Sequence, residues 1–262
     1  EGGVRLEAST ISQSGDADQE KSFFFAKPRL LATWTPMADN QLRFRFEREL
    51  GQLDFGDFAA SAELSDGTVF GGNVDLEPEQ RWISELSYER RFWGEGVVSI
   101  GYRHDRIIDV IDRLPLPGGL SATGNIGDGT LDQLSLNVVV PLDKVGISGA
   151  RFTFRNDWNK TSVTDPTTGE DRRISGVRPS QANVGFQQDI TSWKTQWGIN
   201  WLPRLGQATY DPDQTFAWRG ADYLEAFVEY KPSPTLSLRA QLNLWDDFTQ
   251  QRTVYAIRNQ LV

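Results

Sequence analysis

The sequence predicts an all-β fold: an antiparallel transmembrane β-barrel, of which about 11–12 strands of a larger barrel are present. Three observations predict it. Apolar and polar residues alternate over segments of about ten residues, the length that crosses a bilayer with tilt. The connections between segments alternate short and long. Aromatic side chains collect at the segment ends rather than in their middles.

The elements follow from the alternation. Strands are expected near 2–9, 23–35, 40–50, 80–91, 96–107, 129–141, 147–159, 180–190, 194–202, 221–231 and 235–246, with a weak one after 251. "QLRFRFEREL" sets Leu42, Phe44 and Phe46 against Arg43, Arg45 and Glu47. "GVVSIGYRHD" sets Val98, Ile100 and Tyr102 against Ser99, Gly101 and Arg103. "TLSLRAQLNLWDD" sets Leu236, Leu238, Ala240, Leu242 and Leu244 against Ser237, Arg239, Gln241 and Asn243. A period of two is that of a strand with one apolar face. No window holds the apolar stripe and caps of an amphipathic helix.

Five connections are short: "PMADN", "FWGEG", "LDKVG", "ITSW" and "KPSP". Four are long, over about 51–79, 108–128, 160–179 and 203–220, and rich in Gly, Asp, Pro and Thr. Outer-membrane barrels pair short periplasmic turns with long extracellular loops in this way, whereas a Greek-key sandwich has no reason to. Trp34, Phe92, Trp93, Trp193 and Tyr230 stand beside short turns, and Trp82, Trp158, Trp201 and Trp245 toward the long loops. Two such belts are what interfacial anchoring predicts.

The chain of 262 residues reads as one β-barrel region over 1–262. It has no Cys, one His (His104) and one Met (Met37), which excludes disulfides, thiolate sites and a multi-histidine metal centre. A net charge of −9 and a pI near 4.8 argue against nucleic acid as a partner. A mean hydropathy of −0.47 is compatible with a barrel, because lipid meets only alternate residues. The chain begins at Glu1 without a signal-like apolar run, so the expectation is a removed leader or an excised piece of something longer.

The face opposite the apolar one carries both signs of charge. Arg43, Arg45, Glu85, Glu89, Arg103 and Arg239 are expected to form a ladder lining a wet lumen, since opposite charges across a strand pair are stabilising. A solvated sheet face is the plainer alternative.

The stretch "NVDLEPEQRWISELSYERRFWGEGVVSIGYRHDRIIDVIDRL" carries a pattern, with Asn73, Leu76, Pro78 and Glu79 ahead of Glu85, Leu86, Tyr88 and Glu89. It resembles the barrel of TonB-dependent outer-membrane receptors, which commonly show Asn-Pro-x-Leu-x-Pro-Glu before such a strand. Val74 stands where the family often has Pro. "LNLWDD", Leu242 to Asp247, resembles the family's Asn-Leu-Phe-Asp signature with Trp245 for Phe, and "TDPTTGEDRRISG" resembles external-loop sequence of proteobacterial members. The resemblance covers nearly the whole chain. The first motif is read as a structural landmark, because Pro78 cannot donate to a ladder at a strand entrance.

The resemblance implies a barrel of about 22 strands closed by a plug. It implies uptake of a scarce nutrient such as a ferric siderophore, haem, cobalamin or saccharide, powered by the TonB complex through a box in the plug. It implies the bacterial outer membrane, with membrane lipid and lipopolysaccharide as surroundings. No plug is recognisable in the chain, and after Trp245 it runs to Leu261-Val262 without the family's final aromatic-ended strand. The expectation is therefore the later part of a receptor barrel, forming an incomplete curved sheet. The alternatives are a passive porin-like or structural barrel and a soluble carbohydrate-binding β-sandwich.

No catalytic residue, cofactor site or metal site is expected. His104 falls on the apolar face near the outer end of its strand, with Arg106 rather than Ser two residues on, and reads as a girdle or loop-end side chain. The pairs Asp109–Asp112 and Asp246–Asp247 read as solvated loop acids, since no loop has a calcium-ligand pattern. "GDGT" and "LPGGL" read as turns. Arg172, Arg173, Tyr210 and Trp218 are the loop residues expected to touch a substrate, with ordinary loop side chains as the plainer alternative for each.

Overall fold

The computed structural model describes residues 1–13, 19–53, 62–65, 68–71, 73, 75–116, 120–203 and 206–255. In chain order the strands are β1 (Gly2–Gln13), β2 (Gln19–Met37), β3 (Asn40–Leu50), β4 (Ala62–Ser65), β5 (Thr68–Gly71), β6 (Gln80–Phe92), β7 (Gly96–Ile108), β8 (Ile111–Leu116), β9 (Leu120–Asn125) and β10 (Gly129–Pro141). Then come β11 (Ala150–Thr164), β12 (Asp171–Arg172), β13 (Ser180–Ile190), β14 (Thr195–Leu202), β15 (Gln207–Asp211), β16 (Gln214–Arg219), β17 (Tyr223–Ser233), β18 (Leu236–Trp245) and β19 (Thr249–Val254). Two single turns of 3-10 helix, Asp143–Val145 and Thr191–Trp193, sit in short connections.

One antiparallel sheet forms a wall in the order β1-β2-β3-β6-β7-β10-β11-β13-β14-β17-β18, with β12 added to the end of β11. Each wall strand pairs with the next wall strand in the chain, as an up-and-down barrel requires. Among the described residues β1 and β18 are not paired to each other, so the sheet is open, as expected.

Register turns the alternation of single strands into rows across the wall. Phe44 lies opposite Leu86, Leu86 opposite Tyr102, Tyr102 opposite Leu134, and Leu134 opposite Trp158. All five are exposed. One step along, Arg45 lies opposite Glu85, Glu85 opposite Arg103, and Arg103 opposite Gln133. One face is thus apolar and uncovered, and the other is charged and laced together.

The strands differ from their expected limits in an ordered way. β1 and β2 stay paired out to Gln13 and Gln19, where a link was expected, and β11 runs on to Thr164. Register simply continues past the apolar band into polar residues such as Thr10 and Ser22, whose hydroxyls lie 2.9 Å apart. At the short-turn end, Pro36 and Pro232 coincide with register shifts in β2 and β17, where a residue without an N–H does least harm. The tight turn after β6 places Gly94 at φ 85°, a left-handed conformation suited to glycine.

The long connections carry strands of their own, which alternation alone did not reveal. β4, β5, β9 and β8 make a four-stranded sheet that joins the loop after β3 to the loop after β7, partly by the parallel pairing of β5 with β9. β15, β16 and β19 make a second sheet. The weak strand expected after 251 is β19, and it pairs with β16 in this loop sheet, not with the wall. The "LPGGL" turn, the residue after Asn73 and the chain's last residues lie outside the described residues.

The buried core sits at the long-loop end. Ile107, Leu131 and Val163 take the inward side of the wall, and Val110 and Ile174 descend on them from loops, with Ile126 and Val177 packed alongside. Inward positions are charged in mid-wall and apolar here, so the loops have a surface to fold onto.

The two faces predict opposite tolerances. In the receptor folded into vesicles, Leu134→Arg costs about 2–4 kcal/mol, the penalty for a cation on the lipid face near the bilayer middle. Ser135→Arg, opposite Asp157, costs less than about 1 kcal/mol. Denaturant unfolding compares the two, and equal costs would refute the assignment of faces.

Candidate functional site

The charge ladder occupies the inward face as two separate groups. In the first, Arg43 lies 3.8 Å from Glu89, and Arg45 lies 3.7 Å from Glu85 and 3.1 Å from Glu47. Glu47 reaches across to Arg29 at 3.1 Å. Arg103 turns away from Glu85 to the fully buried Asp105, to which it donates two hydrogen bonds of 2.7 and 2.6 Å. Arg81 approaches the same carboxylate at 3.8 Å and donates to Glu79 at 2.7 Å. Arg239 belongs to the second group, between Glu225 at 3.6 Å and Glu229 at 3.7 Å. Its guanidinium lies 4.1 Å from the Phe227 ring centroid. That ring occupies the space of a missing side chain, since a Cβ on Gly198 would come within 2.7 Å of it.

The motif of the loop after β3 is a clasp. Asn73 accepts the Asp75 N–H at 3.0 Å, Leu76 is buried, and Lys21 donates to the Asp75 carbonyl at 2.8 Å. Asn125 accepts the Glu77 N–H at 2.8 Å and donates back to the Glu77 carbonyl at 2.9 Å. Glu79 accepts the Ile111 N–H at 3.3 Å. The landmark thus holds two long loops together at the point where one re-enters the wall.

The loops converge on Arg172. Its guanidinium donates to Asp165 at 2.6 Å, to Asp112 at 2.9 Å and to the Arg173 carbonyl at 2.9 Å, and lies 4.6 Å from the Tyr210 ring centroid. It is only 10% exposed and Asp112 5%, so this is a mostly buried pair. Asp112 is accordingly not a solvated loop acid: the fold of β8 brings it under Arg172, a contact spanning 60 residues. Arg113 adds an ion pair to Asp211 at 3.7 Å, and Ser175 accepts the Tyr210 N–H at 3.1 Å.

Of the four expected substrate contacts, Tyr210 stands between two cavities. One, of about 500 Å³, is acid-rich, lined by Asp165, Glu170, Asp171 and Asp211 together with Arg172 and Tyr255. The other, of about 380 Å³, has Arg173 and Trp218 in its lining. The four are therefore brought together, and Arg172 additionally serves as the buckle of the loops. No periodicity marked Asp112 or Asp165 as its partners; only a cross-loop distance could.

Two acids here are shifted in opposite directions. Burial works to raise Asp165, but the Arg172 hydrogen bond, the N–H groups of Thr168 and Thr167 and the Arg172 charge outweigh it, and the carboxyl lies below its ordinary range. Burial raises Asp211 despite Arg113 and Gln214, with Asp213 and Asp112 adding to the rise.

His104 sits on the apolar side, with Nδ1 2.8 Å from Asp132 Oδ1, the oxygen to which the Tyr102 hydroxyl donates at 2.6 Å. Arg106 lies 3.3 Å from Asp128 beside it. This is a polar cluster at the outer end of β7, away from the loop cavities.

Two outcomes follow. Arg172→Ala leaves Asp112 and Asp165 uncompensated and should cost the loops about 3 kcal/mol, seen as faster amide exchange at 165–175 and 207–211 with the wall unchanged. For pH, the depressed Asp165 gives stability that is present above its unfolded value of about 3.9 and lost as pH falls through its folded value. The raised Asp211 gives stability present below that unfolded value and lost as pH rises through its own folded value. Loop stability should thus rise on mild acidification and fall in stronger acid; Asp211→Asn should abolish the first change and Asp165→Asn the second.

The family described as TonB dependent receptor-like, beta-barrel matches residues 1–243. No curated protein matches the sequence. Among solved structures, a mutant of the ferric enterobactin receptor PfeA from Pseudomonas aeruginosa superposes with a TM-score of 0.63 at 14% identity, covering 92% of this chain and 37% of that one. The copper transporter OprC gives 0.61 at 10% identity, covering 93% and 45%. The siderophore receptor PiuA from Acinetobacter baumannii gives 0.57 at 11% identity, covering 92% and 36%. At such identities the likeness shows the fold, and the chain spans less than half the length of these structures. Open wall, two-faced register and family match agree: this chain belongs to the β-barrel family of TonB-dependent receptors, proteins of the outer membrane of Gram-negative bacteria.

Proposed function

We propose that the chain is the substrate-facing part of an active-uptake receptor, taking a scarce nutrient across the outer membrane without covalent chemistry. The observation that carries this is the way four long loops lock into two small sheets and a buried core over one end of the wall. Loops so tied present fixed cavities, which suits selective binding; a passive channel needs an open mouth. The solved structures similar in fold include a ferric enterobactin receptor, a siderophore receptor and a copper transporter.

In this reading the ligand approaches from outside, among Arg172, Arg173, Tyr210 and Trp218. The charged inward face, with Arg43, Arg45, Glu85, Glu89, Arg103 and Arg239, borders a lumen filled by a plug, and the TonB complex acts on that plug. The apolar rows meet acyl chains, and the polar cluster around His104 and Arg106 meets the lipopolysaccharide headgroups.

The test is genetic. Cells lacking the gene are grown with ferric siderophores, haem, cobalamin, oligosaccharides or copper as the limiting nutrient. Growth on one of them should fail, fail equally when TonB is inactivated, and return with the full-length gene. Uptake that survives loss of TonB would replace this reading with the passive one.

A further inference from the structure

The short-turn end of the wall holds a cavity of about 450 Å³ between two neighbouring connections. Lys194, just before β14, lines one side, and Lys231 with residues 232–237 lines the other. The backbone joins the two sides, the Lys231 N–H donating to the Lys194 carbonyl at 2.8 Å. Pro232 and Pro234 stiffen the turn between β17 and β18, and the hydroxyls of Ser233 and Thr235 lie 3.3 Å apart in it. No carboxylate lines the cavity.

Two observations set Lys194 apart. Its backbone is left-handed, with φ 51° and ψ 35°, and it is one of three non-glycine residues with positive φ among the described residues. Glycine or asparagine adopts that conformation at less cost, so the turn itself gives no reason for a lysine. Its charge is also uncompensated. Lys231 has Glu229 at 3.0 Å, whereas Lys194 has no carboxylate within ion-pair distance among the described residues. The Lys194 ammonium donates to the Pro232 carbonyl at 2.9 Å and keeps donors for a further partner. In a chain of net charge −9, a strained lysine without a counter-charge, lining a cavity, is matched by an anion from outside the chain.

The surroundings decide which anion. Leu236 lines the cavity and is exposed. Tyr230 and Leu238 stand opposite each other in β17 and β18 just beyond it, and Trp193 precedes Lys194; all three are exposed. The cavity is therefore continuous with the apolar face that meets acyl chains, at the end where an outer-membrane barrel has its periplasmic turns.

We infer that the Lys194–Lys231 cavity binds the phosphate of one anionic phospholipid of the periplasmic leaflet, with its acyl chains over Tyr230, Leu236 and Leu238. Lys194 supplies the charge, and the hydroxyls of Ser233 and Thr235 supply further donors. The two prolines hold those donors in place before the lipid arrives. The inference needs the wall's place in the outer membrane and does not need the uptake reading.

The experiment is native mass spectrometry of the purified full-length receptor in detergent, titrated with phosphatidylglycerol, phosphatidylethanolamine or soluble glycerol phosphate. One phosphatidylglycerol should bind about fivefold tighter than phosphatidylethanolamine, which has no net charge, and at least about tenfold tighter than glycerol phosphate, which has no chains. Lys194→Gln should weaken phosphatidylglycerol about fivefold, Lys231→Gln less, and Lys194→Arg little. Lys194→Gly removes the charge and relieves the backbone together. It should weaken the lipid about fivefold while the melting temperature holds or rises, which separates loss of lipid from loss of fold. Lys144→Gln, in the connection after β10, should leave binding unchanged.

The inference is overturned if phosphatidylethanolamine binds as tightly, if Lys194→Gln and Lys194→Gly both bind phosphatidylglycerol normally, or if Lys144→Gln weakens it equally, which means diffuse charge. Glycerol phosphate binding as tightly as the lipid also overturns it, since the site then takes a free ion. None of these outcomes touches the uptake reading, which the growth experiment tests separately.

Discussion

Hydrocarbon cannot satisfy a backbone N–H or C=O, and the rest of this structure follows from that. Every wall strand must be laddered to its neighbours over the width of the bilayer. Once the ladder exists, side chains alternate between two environments, and register aligns them in rows. Phe44, Leu86, Tyr102, Leu134 and Trp158 form one row because their backbones are paired, and they remain exposed because lipid replaces a protein core. The same ladder puts Arg45 beside Glu85 with no further instruction. The exposed edges of β1 and β18 state the converse: in lipid each needs a strand to pair with.

Along the inward face the chemistry changes, and that change positions the loops. Mid-wall, this face is held by ion pairs, Arg45 with Glu85 and Arg103 with Asp105. Toward the long-loop end the inward positions become Ile83, Ile107, Leu131 and Val163, all buried. Apolar residues in that place would be costly in open water. Val110 and Ile174 cover them, and the loops that carry those two residues are brought over the wall as a consequence. The cavities thus arise from where the wall stops being charged.

The wall was legible because its information is local. A period of two can be read within ten residues. The loops were not legible because their order is non-local. β5 meets β9 in parallel across an intervening pair of wall strands, and β16 finds β19 beyond another such pair. Short strands with mixed faces have no reliable period. Arg172 and Arg173 show the limit most plainly. They are adjacent and chemically identical, yet one is mostly buried between Asp112 and Asp165 and the other is exposed. Only the tertiary fold separates them.

The two parts of the molecule are also held by different amounts of interaction, and this bears on how binding can be signalled. The wall is a continuous ladder whose opening in lipid would expose many backbone groups at once. The loops depend on a small apolar core and a few mostly buried ion pairs, chief among them those of Arg172. Local opening follows local stability, so the loops can rearrange while the wall does not. A ligand that contacts Tyr210 touches a ring already engaged by Arg172, and Arg172 in turn holds the loops after β7 and β11. Occupancy of either cavity would therefore bear on the contact that ties the loops together.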